Sequence, residues 1–116
     1  MQRVCFQLQV DPARIEEYRT AHAAVWPEML EAIRDSGRRN YSLFLRADGL
    51  LIGYYETDDD TASQAALARD PRTAKWEERM SPFFIGAGDR PDQNAVVLEE
   101  VFNLEDQLTT ARSRQH

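Results

Sequence analysis

Tyr18, His22 and Trp26 stand at intervals of four residues, so in a helix a phenol, an imidazole and an indole project from one side. Imidazole, with an ordinary pKa of about 6.5, takes and gives a proton near neutral pH. Phenol and indole each offer a flat apolar body with one polar atom. The chemistry such a row can perform on a small polar ligand is general acid–base catalysis with aromatic contacts to hold the ligand. The same row also fits a hydrogen-bonded core histidine packed between aromatics, and spacing alone does not separate the two. Metal chemistry is not indicated. The second histidine, His116, is at the far end of the chain, and no Cys/His or His/carboxylate spacing has the form of a ligand motif. The run Asp58-Asp59-Asp60 lacks the further ligands of a calcium loop and reads as a capped, solvated helix entrance.

The elements that must position this row follow from periodicity. Val4, Phe6, Leu8 and Val10 alternate with Cys5, Gln7 and Gln9, which predicts a strand with one apolar face. Asp11-Pro12 then opens a helix, with Asp11 as cap and Pro12 in the first turn, where its missing donor costs nothing. Ile15, Tyr18, His22, Trp26, Met29 and Ile33 form one helical stripe, which Pro27 interrupts. Proline disfavours helical geometry at the residue before it, so a break is expected at Trp26, with a second helix from Pro27 that ends before Gly37. Residues 40–45 and 50–56 alternate as strands around the hairpin signal Ala47-Asp48-Gly49. Helices are expected over residues 62–68, after the acidic caps, and from Asp70-Pro71 with Ala74, Trp76 and Met80 directed inward. Residues 86–94 are turn chemistry throughout, a loop that closes over something or simply connects. A last strand is expected over residues 95–103, and residues 105–116 read as a polar, mobile tail.

Strand, broken helix, hairpin, helices, strand is the order of an α+β, ferredoxin-like split βαβ sandwich of the dimeric α/β-barrel type, a four-stranded antiparallel sheet with helices on one face. The other face is then left bare. Val97, Val101, Phe44 and Cys5 are expected there, and a homodimer formed sheet to sheet would cover them. At 116 residues and 42% hydrophobic, the chain has the size of one domain able to bury a core, placed at residues 1–104. With 20 acidic against 14 basic residues, a net charge of -6 argues against nucleic acid or an anionic membrane as the partner, and Arg38-Arg39 is too short a basic run to alter that. One cysteine and no leader pattern at the start point to the cytoplasm.

Tyr18-xxx-His22-xxx-Trp26-Pro27-Glu28, the pair Asn40-Tyr41, the helix with Trp76-xxx-Met80 and the closing Glu99-Glu100-Val101-Phe102 together resemble the L-rhamnose mutarotase family over roughly residues 1–104. The resemblance implies a small dimeric ferredoxin-like enzyme that needs no cofactor and no metal. It implies His22 as the catalytic proton donor, with Tyr18, Tyr41 and Trp76 binding the sugar. On periodicity alone Tyr41 and Trp76 would be core residues. One departure is that this chain has Trp76-Glu77 where the family commonly has a tryptophan pair. Glu77, by default a solvated helix residue, thus falls at a substrate-binding position, where a carboxylate favours sugar hydroxyls over an apolar face. The sugar stays open between L-rhamnose, another deoxyhexose and a related aldose.

The implied reaction interconverts α and β anomers by opening and reclosing the ring, so it needs proton transfer and no redox step. Two readings stand beside it. One is a non-catalytic small-ligand-binding ferredoxin-like dimer, which fold alone does not exclude. The other is a cofactor-free monooxygenase on a similar shell, whose substrates are bulkier and more apolar than a tyrosine-rich pocket favours.

Overall fold

The computed structural model describes residues 1–114; His116 lies outside the described residues. Strand β1 (Gln2–Gln9) leads through a 3₁₀ turn (Pro12–Arg14) into helix α1 (Ile15–Ala23). The Asp11 carboxylate accepts from the Ala13 N–H at 3.0 Å and so closes the first turn. Trp26 has extended backbone (φ -52°, ψ 133°), and α2 (Pro27–Asp35) starts at the next residue. The break therefore falls where Pro27 demands it. The hairpin β2 (Arg38–Leu45) and β3 (Leu50–Thr57) follows, then α3 (Asp60–Arg69) and α4 (Pro71–Met80). Both of these helices open on an aspartate cap, Asp59 accepting from Ala62 N at 3.1 Å and Asp70 from Arg72 N at 2.8 Å. A short helix α5 (Pro91–Asn94), strand β4 (Val96–Leu98) and helix α6 (Leu104–Arg114) complete the chain.

The strands lie in the order β2-β3-β1-β4 and every pairing is antiparallel. Val4, Phe6, Leu51 and Tyr55 face α1, α2 and α4, whose Tyr18, Ala21, Met29, Ala32, Trp76 and Met80 are buried over them. This is the expected ferredoxin-like arrangement.

A bulge in β2 decides which of its residues reach the interior. Arg38 and Arg39 pair with Thr57 and Glu56, and Ser42 pairs with Tyr54, so Asn40 and Tyr41 together stand opposite Tyr55. Asn40 takes the left-handed conformation (φ 50°), which asparagine tolerates better than most residues. In an unbroken strand Arg38 and Tyr41, three apart, would point to opposite faces. The extra residue lets both point inward, together with Leu43 and Leu45.

Several expectations are corrected. The last strand is three residues long, not nine, because only Val96, Val97 and Leu98 find partners on β1. Val97 stands opposite Phe6 and so shares the inner face, while Val96 and Leu98, opposite Gln7 and Cys5, lie on the bare face with Phe44. Val101, 84% exposed, lies beyond the end of the strand. Residues expected as a tail form α6 up to Arg114, and Arg3 anchors that region through Glu100 at 2.8 Å and Asp106 at 2.6 Å. In α4 it is Thr73, not Ala74, that turns inward. The loop 86–94 contains α5, tied by the Asn94 side-chain amide to the carbonyls of Ala87 and Arg90 at 2.9 and 3.0 Å.

Gly49 closes the β2–β3 hairpin at φ +93°, and a Cβ there would stand 2.2 Å from the Val10 carbonyl oxygen. That carbonyl belongs to fixed backbone, because Val10 N donates to Gly49 O at 2.8 Å. Gly49→Ala is expected to destabilise the fold by about 2 kcal/mol or more. A urea midpoint equal to that of the unmodified protein would contradict the close approach.

Candidate active site

His22 is in the last turn of α1, and its Nδ1–H donates to the Tyr18 carbonyl, one turn earlier, at 3.0 Å. A carbonyl only accepts, so the proton of the neutral ring is on Nδ1 and the lone pair is on Nε2. The Tyr18 ring stacks on the imidazole with centroids 4.1 Å apart, and the edge of Trp76 meets it at 5.5 Å. Burial holds the His22 pKa below its ordinary value, and Arg79 adds to this, while the bond to Tyr18 opposes it. The imidazole is therefore neutral at neutral pH and able to take a proton.

A cavity of about 530 Å³ opens between the helices and the sheet, in the size range of small-molecule sites. Tyr18, His22, Tyr41, Trp76 and Glu77 all line it. Thus the structure brings five of the six candidate residues to one place, from α1, β2 and α4. Trp26 is not in the lining; its ring meets the Trp76 ring edge-on at 5.1 Å, and Arg79 lies over both indoles. It packs at the bend, against Trp76.

Both phenols are held protonated. Burial pushes the Tyr41 hydroxyl up to about 12, with Arg38 opposing and Glu77 and Asp92 adding. Burial likewise raises Tyr18, with Tyr41 and Glu77 adding. Each remains a hydroxyl that donates one hydrogen bond and accepts others, which suits contact with a polyhydroxy ligand.

Glu77 departs most from its default. It is 7% exposed, on the inner stripe of α4 with Thr73, Trp76 and Met80. Burial first, then Asp92, pushes its carboxyl up to about 7, against the Asp92 N–H, which donates to Oε2 at 3.4 Å, and against Arg90. The sequence did carry the signal. Residues 73, 76, 77 and 80 have the i, i+3, i+4, i+7 spacing of a buried helix face, whereas 74, 76 and 80 do not.

Five further polar lining residues escaped the sequence reading: Arg38, Tyr55, Asp60, Gln64 and Asp92. Arg38, set aside as part of a short basic run, is buried, with its guanidinium 3.9 Å over the Tyr55 ring. It donates to Ser63 Oγ at 3.1 Å and to the Gln64 side chain. Asp60 accepts from the Tyr55 hydroxyl at 2.5 Å. Asp92 is gripped by Arg90 through two bonds of 2.9 and 2.8 Å, and its carbonyl accepts from Gln64 at 3.1 Å. Tyr55 alternates with the other inward residues of β3 as a core residue would, while Arg38 comes in ahead of the β2 bulge, Asp60 and Gln64 from the start of α3 and Asp92 from α5, where no apolar periodicity marks them.

Fold and site together define a ferredoxin-like α+β protein with a neutral histidine, two phenols and a protonatable carboxyl around one small-molecule cavity. The chain belongs to the L-rhamnose mutarotase family, whose model matches residues 3–104. An L-rhamnose mutarotase of Listeria monocytogenes is 36% identical over 107 residues, covering 90% of this chain and 99% of the relative. One of Sinorhizobium fredii is 33% identical over 106 residues, with the same coverage. Among solved structures, an L-rhamnose mutarotase from Formosa agariphila is similar at a TM-score of 0.73 and 24% identity, covering 90% of this chain and 99% of that one. Tetracenomycin F2 cyclase from Streptomyces glaucescens shares the fold at a TM-score of 0.61 and 22% identity over the same shares.

The raised carboxyl makes a prediction about stability. Between the ordinary value of 4.5 and about 7, folded Glu77 keeps a proton that the unfolded chain has lost, so stability falls as pH rises through that window. Glu77→Gln removes the cost of burying the charge and is expected to stabilise the fold at pH ~8 by up to about 3 kcal/mol, with little effect at pH ~4. Urea midpoints of both proteins at several pH values check this. A difference that does not grow with pH would show that the carboxyl is solvated.

Proposed function

We propose that the protein is a cofactor-independent L-rhamnose mutarotase, an isomerase that interconverts the α and β anomers of L-rhamnose or a related deoxyhexose. Membership of the family supports the reaction. The observation that carries the assignment of roles is the His22 Nδ1–H bond to the Tyr18 carbonyl at 3.0 Å, which leaves Nε2 as the open nitrogen of a neutral ring lining the cavity. Ring opening removes the proton of the anomeric hydroxyl and supplies one to the ring oxygen. The resemblance implied His22 as proton donor; with the neutral ring protonated on Nδ1, His22 instead first takes the proton of the anomeric hydroxyl and then donates it back on reclosure. Tyr18 and Tyr41 hold sugar hydroxyls through their un-ionised phenols, Trp76 covers an apolar face of the ring, and Glu77 contacts a hydroxyl. General acid–base catalysis of this kind contributes typically ~10² to 10⁴-fold.

The working unit in this reading is a homodimer in the cytoplasm. Across the bare sheet face, Val96, Gln7, Ile52 and Phe44 form one row and Leu98, Cys5, Tyr54 and Ser42 the next. Phe44 and Val96 are 64% and 57% exposed, which is a costly surface for a monomer. Cys5 is free, as suits a reducing compartment. No helix among the described residues is long and apolar enough to cross a membrane.

Two outcomes are expected. His22→Ala, checked for folding by circular dichroism, should lose anomer exchange by about 10²-fold or more while still binding sugar, as read by magnetisation-transfer NMR on L-rhamnose. Wild-type protein no faster than buffer across several deoxyhexoses would sink the assignment, and a sugar-induced rise in Tm without exchange would mark a binder instead. Light scattering should give twice the chain mass for the wild type, and Phe44→Glu should shift it toward one.

A further inference from the structure

The assigned reaction needs two proton transfers, and His22 accounts for one. Three carboxyl groups line the cavity: Asp60, Glu77 and Asp92. Asp60 is engaged by the Tyr55 hydroxyl at 2.5 Å and by Ser63 Oγ at 3.1 Å, and its Oδ1 stands 3.8 Å from Arg38. Asp92 is held by Arg90 on both oxygens. Glu77 differs. Among the described residues its carboxyl takes one hydrogen bond, from the Asp92 N–H to Oε2 at 3.4 Å, and it has no ion pair within 4.0 Å. It is also the residue directly after Trp76, whose ring edge touches the imidazole.

We propose that Glu77 is the second proton carrier, a catalytic acid that works opposite His22 on the same bound sugar. The proposal rests on the mutarotase reading and deepens it, turning a hydroxyl contact into a proton donor. In ring opening, His22 Nε2 takes the proton of the anomeric hydroxyl, the bond from C1 to the ring oxygen breaks as the C1–O1 bond becomes a carbonyl, and the Glu77 carboxylic acid gives its proton to the departing ring oxygen. After rotation about C1–C2, the carboxylate takes that proton back as the oxygen adds to C1, and the imidazolium returns its own to O1. Both groups end as they began.

Environment has set the two apart in the sense this cycle needs, the imidazole held neutral as base and the carboxyl held protonated as acid. The charged and titratable groups that share the cavity with Glu77 are Tyr18 and His22 from α1, Arg38 and Tyr41 from β2, Tyr55 from β3, Asp60 from α3 and Asp92 from α5, and Arg90, just before α5, also acts on its carboxyl. Helix α2 presents apolar Met29, Leu30 and Ile33 to the cavity.

Anomer exchange of L-rhamnose, followed by magnetisation-transfer NMR from pH ~5.5 to ~8.5, tests it on wild type, Glu77→Gln and Glu77→Asp. Expected for the wild type is a rate that falls as pH rises through about 7, where Glu77 loses its proton. Glu77→Gln should lower kcat by about 10²-fold with KM little changed and should abolish that falling limb, and Glu77→Asp should recover part of the rate. A Glu77→Gln rate within about threefold of wild type, or a falling limb that survives the substitution, overturns the proposal. If Glu77→Gln does not fold, the wild-type profile decides alone, since a rate flat between pH ~6 and ~8 also overturns it. A wild-type protein that accelerates no exchange at any pH removes the mutarotase reading itself, an outcome distinct from active enzyme indifferent to Glu77.

Discussion

The constraint on which this site depends is the cost of charge in a cavity walled largely by apolar and aromatic side chains. Burial acts on five ionisable groups at once and in one sense, toward neutrality: it lowers His22 and raises Tyr18, Tyr41, Tyr55 and Glu77. The result is a pocket in which a neutral base and a protonated carboxyl coexist up to a pH of about 7. Arg38 and Arg90, which would otherwise pull the carboxyls toward ionisation, are occupied by Asp60, Gln64 and Asp92. These pairs form part of the pocket wall, since Arg38, Asp60 and Asp92 are among its lining residues.

Holding that arrangement falls to small features of backbone. The break at Trp26-Pro27 lets α1 end with His22 at the cavity while α2 turns to roof it with Met29 and Ile33. The Asn40 bulge puts Arg38 and Tyr41 on one face of β2, so the buried guanidinium and the phenol reach the same pocket. Trp76 and Glu77, adjacent in α4, both fall within its inner stripe. The polar turn around Asp92 supplies the last wall, fastened to α3 by Gln64.

Much of the fold was legible because it follows from local rules. Alternation gave the first three strands, aspartate caps gave three helix starts, and Asp48-Gly49 gave the hairpin. Segments whose state depends on partners were not legible. Residues 99–103 alternate like a strand, yet the pairing with β1 stops at Leu98 opposite Cys5, although β1 itself runs on to Gln2. Residues 104–114 lack an apolar stripe, and their helix is tied back by Arg3 from the other end of the chain.

By itself the sequence determined the chemistry available: Tyr18, His22 and Trp26 at intervals of four, and motifs that place the chain in its family. It also held the spacing that buries Glu77, since helical periodicity is local. Only the tertiary structure decided that Tyr41 and Trp76 serve the cavity, that Trp26 stands behind it, and that Asp92 and Arg38 border it. Those facts depend on which faces meet across elements far apart in the chain, and on a bulge that reverses the direction of a side chain without leaving a periodic trace. The protonation states were decided there too, because a pKa is set by burial and neighbours, not by residue type.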